Sequence, residues 1–65
     1  MAVTKDMTIA KVIEVDEGIA PLLMSAGMHC LGCAMAHGES IEEACMVHGI
    51  DCDKLIEAIN DYLGE

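Results

Sequence analysis

The sequence predicts an all-α fold, a compact array of about five short helices in a single domain spanning residues 1–65. Three observations carry this expectation. Apolar residues recur at three- and four-residue spacing, which is the period of an amphipathic helix. Glycines divide the chain into short segments of that pattern, and helix-start residues stand at the heads of several of them. Apolar residues make up 54% of the chain, enough for a folded core despite a net charge of −9.

The first helix is predicted from Thr8, a plausible N-cap, to about Val15, with Ile9, Val12 and Ile13 on one face. Asp16, Glu17 and Gly18 interrupt the pattern. The second runs from about Ile19 to Ala26, with Ile19, Leu22, Leu23 and Ala26 on one stripe. Pro21 fits its first turn, where a missing N–H costs nothing, and Gly27 suits a left-handed cap at its end. The third covers Leu31 to His37 and is closed by Gly38.

The fourth helix has the clearest start signal. Ser40 followed by Glu43 spells a capping box, in which each side chain satisfies the other's backbone N–H. The segment ends at His48 and Gly49, and its stripe of Ile41, Ala44, Cys45 and His48 reads as core-facing. The fifth follows Asp51, another good N-cap, and carries Leu55, Ile56, Ile59, Tyr62 and Leu63 on its buried side. Residues 1–7 read as extended, with a short strand around Val3. Helices this short are unstable alone, so tertiary packing must hold them.

Sixty-five residues bury only roughly 60% of the unfolded surface. At this size a staple, a metal or a partner subunit usually helps, so a homodimer is one expectation. Tyr62 is the sole aromatic residue, and six Met must share the filling with Ile, Leu, Val and Ala. Met is polarizable and adaptable, and it serves as core filler more often than as a docking face.

Twelve Asp and Glu against three Lys exclude a phosphate-neutralising surface, so no nucleic-acid partner is expected. The same acidity argues against anionic membranes. The longest nearly apolar run, residues 19–28, is broken by Pro21, Ser25 and Gly27 and is too short for a membrane span. Lys5 and Asp6 stand where a secretory leader would be apolar, so a cytoplasmic location is expected. Thiols stay reduced there unless they cycle, and four Cys therefore point to redox or metal chemistry.

Cys30-Leu31-Gly32-Cys33 lies just after the Gly27 turn, at the start of the third helix. Two Cys three apart on one helical turn bring their sulfurs within bonding distance. A Cys at a helix start meets free N–H groups and the positive end of the dipole, which favour thiolate, the attacking species. Gly32 leaves the dithiol face open, and His29, if protonated, adds to thiolate stability. Cys30 is thus the candidate nucleophile, Cys33 the resolving thiol and His29 a tuning residue. Cys45 reads as a small buried hydrophobe, and Cys52 opens the last helix after its cap, where a thiol could be reactive but need not be; neither reads as a site. His37 and His48 read as partners of helix carbonyl ends. Glu42 and Glu43 read as first-turn charge.

The run Gly27-Met28-His29-Cys30-Leu31-Gly32-Cys33 resembles the hybrid cluster protein-associated redox disulfide domains, which are small helical domains of unknown function. The similarity extends over Met7 to Val15, Ile19 to Leu23, Glu39 to Cys45 and the Gly49-Ile50-Asp51 turn. The resemblance implies an all-helical fold and assigns Cys30 and Cys33 as a redox pair, with a link to proteins that carry iron–sulfur–oxygen clusters. It gives no role to Cys45 or Cys52.

The leading functional expectation is a dithiol/disulfide module that exchanges electrons with a redox partner protein, with thiol–disulfide exchange as its activity. No resident cofactor is required for that. The first alternative is zinc or iron–sulfur binding, with thiolates from Cys30 and Cys33 of two subunits, or with His29 or Cys45 completing a site in one. The second is an interaction adaptor that docks through a Met-rich helical face.

Overall fold

A computed structural model describes residues 2–28 and 31–65, giving the backbone alone for residues 33–35. Five helices follow one another: α1 Ile9–Val15, α2 Ile19–Ala26, α3 Leu31–His37, α4 Ile41–His48 and α5 Cys52–Leu63. The all-α expectation holds. α1 packs on α2 and α3, while α5 packs on α2 and α4.

Local chemistry explains the starts. The Thr8 hydroxyl accepts from the Lys11 N–H at 3.2 Å, and the Asp51 carboxylate accepts from the Lys54 N–H at 3.2 Å. The capping box is complete, with Glu43 N–H on Ser40 Oγ at 3.1 Å and Ser40 N–H on Glu43 Oε1 at 3.0 Å. Each bond satisfies a donor that helix geometry leaves without a partner. α2 lacks a side-chain cap of its own. Asp16 substitutes from outside the helix by accepting from the Gly18 N–H at 2.8 Å.

The ends follow one pattern. At Gly27 (φ +121°) and Gly49 (φ +67°) the chain reverses through backbone that favours glycine. The next residue then reaches back into the helix: Met28 N–H donates to the Leu23 carbonyl at 3.1 Å and Ile50 N–H to the Cys45 carbonyl at 2.9 Å. Such a turn brings the residue after the glycine down onto the helix it has just left. Met28 is accordingly fully buried, and Ile50 packs against the core.

The core consists of Val3, Ile9, Val12, Ile19, Leu23, Met28, Ile41, Ala44, Cys45, Leu55 and Ile59. Each large aliphatic side chain so buried contributes about 1.5–3 kcal/mol against exposure. Three expectations need correction. Tyr62 is half exposed rather than buried, because its hydroxyl reaches Asp16 at the surface. His48 is exposed, unlike Ile41, Ala44 and Cys45 on the same stripe, since it lies at the free end of α4. The N-terminal segment forms no strand among the described residues and turns after Thr4, where the Met7 N–H donates to the Thr4 carbonyl at 3.2 Å.

That segment has other partners. Glu42 N–H donates to the Lys5 carbonyl at 3.0 Å and Ile41 N–H to the Met7 carbonyl at 2.9 Å, while Ile9 N–H donates to the Glu39 carbonyl at 2.9 Å. The first turn of α4 thus finds acceptors in the incoming chain, and a lone β-bridge joins Thr8 to Ser40. Lys5 reinforces the crossing through an exposed ion pair with Glu42 at 3.4 Å. At the far end, Val3 is held by the side chain of Asn60 rather than by a neighbouring strand.

Candidate dithiol site

Met28 and Leu31 bracket the start of the Cys30–Cys33 segment. On its N-terminal side, Gly27 and Met28 are fixed to the end of α2, and the Met28 side chain is in the core. On its C-terminal side, α3 begins at Leu31, which packs against the core from a half-buried position. His29 and Cys30 lie outside the described residues, as does the side chain of Cys33. In the backbone, Cys33 is the third residue of α3.

Gly32 is exposed, and a Cβ added there would meet nothing within 4 Å. Gly32, between the two cysteines, is therefore uncovered. No cavity is present among the described residues.

Cys45 and Cys52 are positioned by a second turn. Cys45 is buried in α4, and Cys52 is the half-buried first residue of α5. The Cys52 thiol is a hydrogen-bonding neighbour of the Cys45 thiol. Burial pushes the Cys45 thiol up to about 12, and the Cys52 thiol and the Asp51 charge push the same way. Cys45 is therefore held protonated and out of reach of solvent reagents, in keeping with a small buried hydrophobe. The sequence reading did not pair it with Cys52. The Gly49 cap one turn after Cys45 and the Asp51 cap just before Cys52 were the signals that could have paired them.

Among the described residues, no group of three or more His, Cys, Asp and Glu side chains converges to hold a metal ion. A zinc or iron–sulfur site through Cys30 and Cys33 falls on residues outside the description. Cys45 faces the core beside Cys52, which makes it a poor fourth ligand. His37 and His48 are exposed in the last turns of α3 and α4, where a cation is favoured by the helix dipole. Among the described residues, no helix is long and apolar enough to cross a membrane.

Five short helices, four of them followed by a glycine, define a small all-helical domain. The chain belongs to the family described as a domain of unknown function, DUF1858, whose model matches residues 3–56. It is similar to a protein from Clostridium thermocellum whose solution structure was determined by NMR as a structural-genomics target. The two are 56% identical, with a TM-score of 0.86, over 98% of this chain and 91% of the other. No curated protein matches.

Proposed function

We propose that this chain is a redox module that exchanges electrons with a partner protein through Cys30 and Cys33. Within its family we assign it to the hybrid cluster protein-associated redox disulfide type, on the run Gly27-Met28-His29-Cys30-Leu31-Gly32-Cys33. The observation that carries the reading is the framing of the dithiol. A pinned Met28 precedes it, α3 starts inside it, and open Gly32 separates its cysteines.

The chemistry is two exchange steps. The Cys30 thiolate attacks one sulfur of a partner disulfide and releases one partner thiolate, leaving a mixed disulfide. The Cys33 thiolate then attacks the Cys30 sulfur and releases the second partner thiolate. The chain is oxidised and the partner reduced by two electrons, and the reverse sequence returns them. His29, when protonated, stabilises the Cys30 thiolate. The setting is the cytoplasm, the target is neither nucleic acid nor a membrane, and a homodimer is the assembly to look for.

The test is a titration of the purified protein in buffers of defined reduced to oxidised glutathione ratio, with Cys33→Ser as control. Wild type should pass reversibly between dithiol and disulfide, while the variant should stop at a glutathione adduct on Cys30. A pair that stays reduced in the most oxidising buffer would overturn the proposal.

A further inference from the structure

We infer that Cys45 and Cys52 form a second thiol pair, separate from Cys30 and Cys33, that closes to a disulfide across the α4–α5 turn when the chain meets a small disulfide oxidant. Three structural facts bring the sulfurs together. Cys45 lies in the last two turns of α4 with its side chain in the core. The chain reverses immediately afterwards, with Ile50 N–H bonded to the Cys45 carbonyl itself at 2.9 Å. The Asp51 carboxylate then starts α5, making Cys52 its first residue. The turn is fixed on both sides of the pair, and Cys52 packs against the core of which Cys45 is a member.

The two positions differ in a way that orders the chemistry. Cys52 is partly exposed as the first residue of the 12-residue α5. Cys45 is 1% exposed and cannot meet a reagent directly. The oxidant therefore needs to reach Cys52 alone. The Cys52 thiolate attacks a low-molecular-weight disulfide, releasing one thiolate and forming a mixed disulfide. Cys45 gives up its proton and attacks the Cys52 sulfur, releasing the second thiolate. Overall the protein loses two hydrogen atoms and two small thiols form from one disulfide. Burial slows the second step by keeping Cys45 protonated, but that step is intramolecular, between thiols held on one core across a fixed turn.

The sequence supplies a clean assay. Cleavage after Glu separates peptide 44–57, with Cys45 and Cys52, from peptide 18–39, with Cys30 and Cys33. The folded full chain is incubated with oxidised glutathione, quenched in acid, denatured, alkylated, cleaved and weighed. Peptide 44–57 should lose two hydrogen atoms and escape alkylation, and reduction should restore both thiols. The Cys30→Ser/Cys33→Ser variant should behave identically at this peptide, and Cys52→Ser should leave Cys45 free to alkylate after denaturation. Recovery of peptide 44–57 with both thiols alkylated would overturn the inference. So would a stable glutathione adduct on Cys52 with Cys45 free, a cross-link to Cys30 or Cys33, or loss of the bridge in the double variant. Peptide 18–39 reports on the Cys30–Cys33 proposal separately, so the two can fail independently.

Discussion

The side-chain amide of Asn60 clasps the backbone of Val3 in both directions. Its oxygen accepts from the Val3 N–H at 2.7 Å, and its nitrogen donates to the Val3 carbonyl at 3.0 Å. One helical side chain thus does what a neighbouring β-strand would do, and it anchors the N-terminal segment on α5. With Val3 buried against the core, the clasp leaves neither backbone group unpaired.

Asn60→Ala should therefore destabilise the fold by about 1–3 kcal/mol, because it orphans two backbone groups at once. Asn60→Asp should also be costly, since a carboxylate can accept from Val3 but cannot donate to it. Chemical denaturation measures both. Hydrogen exchange at the Val3 amide should rise selectively in Asn60→Ala, where its acceptor is removed, and unchanged exchange there would contradict the clasp.

Tyr62 and Asp16 form a second long-range link, with the tyrosine hydroxyl donating to Oδ1 at 3.2 Å. That bond and the carboxylate charge raise the Tyr62 phenol above its ordinary value of 10. As the sole aromatic residue, Tyr62 can be titrated directly by ultraviolet absorbance. Asp16→Asn should bring the transition back toward the ordinary value, and an unmoved transition would contradict the link.

A Cβ at Gly18 would clash with the Tyr62 hydroxyl. Because Tyr62 is half exposed, the ring can swing away, at the cost of its bond to Asp16. Gly18→Ala should lose about 0.5–1.5 kcal/mol, the size of one net hydrogen bond. In a Tyr62→Ala background the sign should reverse. Gly18 has ordinary helical backbone angles (φ −63°, ψ −14°), so Ala there should stabilise by about 0.4–1 kcal/mol through the unfolded chain. A thermal-denaturation cycle over the four proteins measures both effects.

The capping box predicts a pH dependence. Hydrogen bonds from the Ser40 backbone and side chain hold Glu43 below its ordinary value of 4.5. A carboxylate depressed on folding adds stability that is complete above the unfolded value and lost as pH falls through the folded one. The advantage of wild type over Glu43→Gln should therefore be constant at neutral pH and shrink below about pH 4.5, where the protonated acid resembles the amide. Glu43 is fully exposed, so the effect is small. Denaturation midpoints for the two proteins across the acid range measure it.

The glycine that ends α2 governs the approach to the dithiol. Its φ of +121° is one that side chains rarely adopt. Gly27→Ala should cost about 1–3 kcal/mol of backbone strain. Gly38, at φ +67° with nothing near its Cβ position, should tolerate Asn with little loss, since Asn accepts left-handed backbone. Equal costs at both positions would contradict this reading of the turns.

The helices were legible because their signals are local. The Thr8, Ser40 and Asp51 caps and the glycines at 27, 38 and 49 bracket their helices as expected. What escaped was tertiary. Nothing near Asn60 in the sequence names Val3 as its partner. Tyr62 fell on the apolar stripe of α5, and only the fold brings Asp16 to its hydroxyl. Met28 read as a loop residue before the dithiol, although the glycine-closed turn that buries it was visible in the order Gly27-Met28. Cys45 and Cys52 looked unrelated because their spacing matches no dithiol motif. Their contact comes from a helix end, a turn and a helix start acting together. The Met residues divide: Met28 is core, while Met24 and Met46 are exposed. Position and chemistry of the Cys30–Cys33 dithiol rest on sequence and on the framing that α2 and α3 give it.

The central claim is tested most directly by protein isolated without air, assayed for metal and then for the state of Cys30 and Cys33 in peptide 18–39. Metal-free protein with both thiols reduced, closing to an intramolecular disulfide with oxidised glutathione and reopening with a dithiol reductant, is the predicted result. Stoichiometric zinc or iron that is lost in Cys30→Ser, with no reversible disulfide, would contradict it.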